Sequence, residues 1–211
     1  MRKPKIGVLG FSDGEPEVHE ELKGFVQKQL DLIVQGLEKS GKVDVIKGQS
    51  LVNSVKTAKA ESLKMVAQNV DGTIFSYGVF SFPNFSVVAA KNGKGPYLLA
   101  ANLNPDWPGM VAMLASGGAL HHLGYEHVRV AGDIADPNVA EKYLMFARCA
   151  MVASSLNGAT LNLAQNLNAT GSTTTSSSTT SSAPAGTRRA WARPQARSRA
   201  TSSSSCGRPS R

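Results

Sequence analysis

Ile6-Gly7-Val8-Leu9, after the basic opening Met1-Arg2-Lys3-Pro4-Lys5 and closed by Ser12-Asp13-Gly14, decides the reading of this chain. A short apolar run set between glycine-bearing turns is the pattern of a strand covered on both faces. The next segment is helical in period. Leu22, Phe25, Val26, Leu30, Ile33, Val34 and Leu37 recur at three- and four-residue spacing, with acids early and Lys39 late, as the helix dipole favours. Gly41 stops that helix.

The same alternation repeats downstream. Val43-Asp44-Val45-Ile46 reads as a second strand, and Ala58, Leu63, Val66 and Ala67 as the inner face of the next helix. Gly72-Thr73-Ile74-Phe75 and Tyr97-Leu98-Leu99-Ala100 are strands three and four. Pro108 opens a helix in which Gly117-Gly118 would allow close contact. His127-Val128-Arg129-Val130 is strand five. Asp136-Pro137 then starts a last helix through Tyr143, Phe146, Ala147, Ala150 and Ala153, with Cys149 read as packing on its inner side. Five strand–helix repeats predict an α/β fold: a doubly wound, flavodoxin- or Rossmann-like, five-stranded parallel sheet with right-handed crossovers.

A chain of 211 residues suits one domain of ordinary size. We place that domain at residues 1–163 and read 164–211 as a disordered, low-complexity basic tail. From Gly171 onward there is no Leu, Ile, Val, Met, Phe or Tyr. Such a segment buries too little apolar surface to offset its ordering entropy. The tail's seven arginines, with no acidic residue, account for nearly all of the net charge of +8. The domain itself is close to neutral, so a nucleic-acid partner is not expected. Residues 1–170 use thirteen lysines and three arginines, whereas the tail has no lysine. That abrupt switch to Ser, Thr, Ala, Arg, Pro and Gly is what a GC-rich gene yields out of frame; a natural basic tail is the alternative reading.

Cys149 and Cys206 lie far apart in unlike surroundings, which favours a reducing, cytoplasmic setting over a disulfide framework. No secretory h-region is visible. The uncharged stretch from Trp107 to Tyr125 contains His121, His122, Ser116 and four glycines, and reads as a helix buried in the protein rather than a membrane span.

In an open parallel sheet, ligands collect at the carboxyl ends of the strands. Four loops fall there: Phe11 to Glu15, Tyr77 to Phe85, Asn102 to Trp107, and Gly132 to Asp136. The second carries Tyr77, Phe80, Phe82 and Phe85. Aromatic faces beside amides and carboxylates suit a sugar. Core packing or an oligomer contact is the competing use of the same rings, and both readings stay open at this point. Dinucleotide, phosphate-loop and nucleophile-elbow motifs are absent. His121 and His122 diverge on a helix and fit its C-terminus better than a metal.

Val139-Ala140-Glu141-Lys142-Tyr143-Leu144-Met145-Phe146-Ala147-Arg148, with Val152-Ala153-Ser154 after it, resembles a helix of the L-fucose isomerase and L-arabinose isomerase superfamily. Ile6-Gly7 through Asp13-Gly14 and Trp107-Pro108-Gly109 through Gly124 match in order. The similarity is to the first N-terminal domain of that family and spans nearly all of Lys5 to Leu163. It implies carbohydrate metabolism by a Mn²⁺-dependent aldose–ketose isomerase, a small-molecule sugar as ligand, and a homo-oligomer for a full-length member. The family's metal ligands and catalytic carboxylates lie in later domains, so the resemblance implies a fragment without activity of its own. A stand-alone sugar-binding or regulatory module is the alternative. By the same resemblance, Phe80 and Phe82 fall where the family places a Trp and a Tyr beside the sugar. Asp13 and Asn102 are the other candidate contacts. Glu15 stands where the family often has Arg, which weighs against L-fucose itself.

Overall fold

A computed structural model describes residues 2–104 and 106–157. The tail read as disordered lies outside the described residues. Among those described, five strands alternate with five helices: β1 (Lys5–Phe11), α1 (Pro16–Lys39), β2 (Asp44–Lys47), α2 (Val55–Ala67), β3 (Gly72–Tyr77), α3 (Pro83–Asn92), β4 (Tyr97–Ala101), α4 (Gly109–His122), β5 (His127–Ala131) and α5 (Pro137–Leu156). The strands are all parallel in the order β2-β1-β3-β4-β5. The predicted doubly wound α/β sheet is therefore present.

Burial on both faces explains why β3 and β4 read so plainly. Every residue from Gly72 to Tyr77 and from Tyr97 to Ala101 is buried. One face packs Ile6, Val8, Ile74 and Leu98 against α1 and α5, through Leu30, Val34, Tyr143 and Phe146. The other packs Leu9, Phe75 and Leu99 against α2, α3 and α4. Burying a side chain of that size stabilises by roughly 1.5–3 kcal/mol relative to leaving it exposed. Gly41, at φ +66°, turns the chain out of α1 without the Cβ penalty another residue would meet.

Three features of the core differ from the sequence reading. On α2, Leu63 and Val66 are half exposed, while Glu61, Ser62 and Met65 point inward with Ala58. The Glu61 carboxylate accepts hydrogen bonds from the Gln49 amide at 2.9 Å and Lys64 Nζ at 2.7 Å. A satisfied carboxylate holds the inward position that hydropathy assigns to leucine. The uncharged helix α4 is also not buried all round: Val111 and Leu114 are half exposed on the side away from the sheet. Cys149 is exposed as well, and its neighbour Ala150 takes the packing place.

The start of the chain is tied to the end of α5. Arg2 donates to Asp71, just before β3, and also to Ser155 Oγ at 3.2 Å. No described helix is long and apolar enough to cross a membrane.

Candidate functional site

Register sets the site. Phe11 pairs with Tyr77, Tyr77 with Ala101, and Ala101 with Ala131, so four strands end level with one another. The chain leaves β1 toward α1 on one face and β3 toward α3 on the other. The crevice of such a sheet opens where those paths part, between β1 and β3.

On the β1 side, Ser12 is fully buried and donates its backbone N–H to Val52 O at 2.9 Å. Its hydroxyl lies 2.8 Å from His19 Nδ1 in the first turn of α1. That pair has no motif in the sequence, since seven residues separate it across a loop–helix junction. Being inaccessible, Ser12 positions the loop and is no nucleophile. Asp13 Oδ1 accepts the Glu15 N–H at 2.9 Å, closing an Asx turn before α1.

On the β3 side, the stretch read as one aromatic loop divides in two. Tyr77 belongs to the core, its hydroxyl 2.7 Å from Ser86 Oγ, which donates to Ser116 Oγ at 3.0 Å. Burial pushes that phenol well above its usual range, and the two serine hydroxyls oppose the push. From Pro83 the chain is α3. Pro83 at the helix start and Phe85, Ala89 and Ala90 on its inner face are the sequence signals for this helix. Across this junction, Phe80, Phe82 and Phe85 form an edge-to-face series, with centroids 5.5 and 5.8 Å apart. Phe82 keeps 37% of its surface exposed, and Phe85 is buried.

The two loops interlock at Gly14. A Cβ there would stand 2.8 Å from Phe82 Cδ2 and 2.9 Å from Phe85 Cζ, so the Asp13-Gly14 turn lies flat against the rings. The structure therefore brings Phe80, Phe82 and the Asp13 loop together. Ser81, between the two phenylalanines, has a buried hydroxyl without a partner among the described residues.

Asn102 is placed differently. It lies just after β4 and lines a cavity of about 20 Å³ with Ser76, Gln29, Asp133 and Tyr143, whose walls include none of the other three candidates. Both amide atoms are shielded from solvent and lack partners among the described residues. Glycine at 109 makes room: a Cβ there would sit 2.8 Å from Asn102 Oδ1 and collide with the Tyr77 carbonyl oxygen. The cavity has room for about one water molecule.

Among the described residues no three His, Cys, Asp or Glu side chains come together as a metal-ion ligand set. The described residues do not fit Mn²⁺. No curated protein matches the chain. A family model described as L-fucose isomerase, first N-terminal domain, matches residues 3–158.

Proposed function

Since the chain belongs to the family of the first N-terminal domain of L-fucose isomerase, we propose that it serves aldose–ketose sugar isomerisation by contributing an aromatic wall to a sugar site, without supplying the catalytic groups. The observation that carries this is the Phe80–Phe82–Phe85 series lying against Gly14 at the switch point of the sheet. Half-exposed ring faces pack on the C–H side of a sugar, and carboxylates hydrogen-bond its rim. Asp13 spends one oxygen on the Glu15 amide and keeps the other for a hydroxyl.

In this reading the divalent metal, Mn²⁺ in the family, is held outside this domain, and the Lewis-acid chemistry it supplies belongs there. Phenylalanines at 80 and 82 offer shape without hydrogen bonds, and Glu15 adds a negative rim. Both features suit a pentose of the L-arabinose type at least as well as L-fucose. A cytoplasmic, oligomeric setting fits the same reading.

The test is titration of the purified chain with L-arabinose and L-fucose, monitored by amide and aromatic NMR shifts. Shifts confined to Gly14 and Phe80–Phe82, abolished by Phe82→Ala, are expected. Silence with both sugars would sink the sugar-facing role. Ketose formation by this chain with added Mn²⁺ would overturn the division of labour.

A further inference from the structure

At the other end of the sheet, below the amino ends of β4 and β5, an open groove of about 710 Å³ runs between the end of α4 and the second half of α5. That volume is within the range of small-molecule sites. Pro96, Val128, Phe146, Ala150 and Ala153 make its walls largely apolar, and among the described residues Arg129 is the sole Lys or Arg that lines it.

Arg129 is held rather than loose. Its Nε–H donates to His127 Nε2 at 3.1 Å. His127 Nδ1 lies 3.0 Å from the Tyr125 carbonyl, which can only accept, so Nδ1 carries the proton and Nε2 is the acceptor. The guanidinium plane lies against α4 at Gly117. A Cβ on Gly117 would stand 2.5 Å from Nε and 2.8 Å from Cζ and Nη2. A glycine inside a helix is less favourable than alanine, and here it makes the slot in which the guanidinium rests. Among the described residues no carboxylate lies within ion-pair distance of Arg129. With Nε committed to His127, the Nη1–Nη2 fork is the part of the group left to a ligand.

We infer that Arg129 and this groove form a binding site for a small monocarboxylate with an apolar body. A planar carboxylate takes both N–H groups of the fork, the pairing that arginine makes most strongly. The body lies along the exposed side chains of Val128 and Ala153. A single cation, with Glu126 on the rim, matches one negative charge and disfavours a dianion such as phosphate. This site is independent of the sugar reading and lies at the far end of the strands from it.

Phenylacetate serves as the probe and 2-phenylethanol as its neutral counterpart, with the full ¹⁵N-labelled chain observed by NMR. Phenylacetate is expected to shift the amides of Gly117, Val128, Arg129 and Ala150. Arg129→Gln is expected to weaken it at least tenfold; the side chain is exposed, so the fold survives the change. The neutral alcohol binds at least tenfold more weakly, and Glu126→Gln tightens the acid. Equal binding to wild type and Arg129→Gln, shifts scattered outside the groove, or displacement by equimolar inorganic phosphate would each overturn the assignment.

Discussion

Arg2 grips both carboxylate oxygens of Asp71, its two terminal nitrogens lying 2.7 and 2.8 Å away, and the Lys5 amide adds a third bond at 2.9 Å. Burial pushes the Asp71 carboxyl up, but the hydrogen bonds from Arg2 and Lys5 outweigh it and bring it down to about 2. A group depressed in the folded state contributes its stability above the unfolded pKa, near 4, and loses it as pH falls toward 2. In urea midpoints measured from pH 5 to pH 2, Asp71 should contribute about 2 kcal/mol of the fall in wild-type stability. In Asp71→Asn the fall over that window should be smaller by nearly the same amount.

Gly14 and Gly118 should respond oppositely to alanine. At Gly14 the new methyl meets Phe82 and Phe85 below 3.0 Å, and Phe85 is too buried to yield. Gly14→Ala should cost about 1–2 kcal/mol and displace the Phe82 ring, visible in aromatic NMR shifts. Gly118 has nothing within 4 Å of its Cβ position. Gly118→Ala should therefore stabilise by about 1 kcal/mol through helix propensity. Paired urea denaturation of the two variants checks both signs.

Asn102 hides an amide that has no partner among the described residues. Replacing such a group by an apolar one of similar size removes a desolvation cost of about 1–3 kcal/mol. Asn102→Leu should leave the thermal midpoint unchanged or raise it. A clear drop would mean that a water or a neighbouring group pairs the amide in solution.

Legibility in the sequence tracks the physics of each element. β3 and β4 are legible because burial on both faces leaves an unbroken apolar run. The helices α1, α3, α4 and α5 each begin at or beside a proline, a mark visible without any structure. The inner face of α2 is not legible. Glu61 turns inward where the Gln49 amide, twelve residues earlier, and Lys64 both bond its carboxylate. Tyr77 likewise joins the core through Ser86 and Ser116, partners that only the fold brings near. In the candidate site, the closeness of Phe80, Phe82 and the Asp13 loop comes from the strand order that sets β3 beside β1; alternation alone places both loops at the carboxyl ends of the strands and leaves their adjacency open. The seclusion of Asn102 behind Gly109 depends on ångström-scale packing that no spacing encodes.

Arg2 meeting Ser155 across 3.2 Å has a consequence for how this fold can be carried. The segment that leads into β1 and the last turn of α5 thus lie at one corner of the domain. A domain arranged this way can be spliced into a host through one opened surface loop, or its ends can be joined by a short linker and new ones cut elsewhere. Neither operation requires any strand to be laid again.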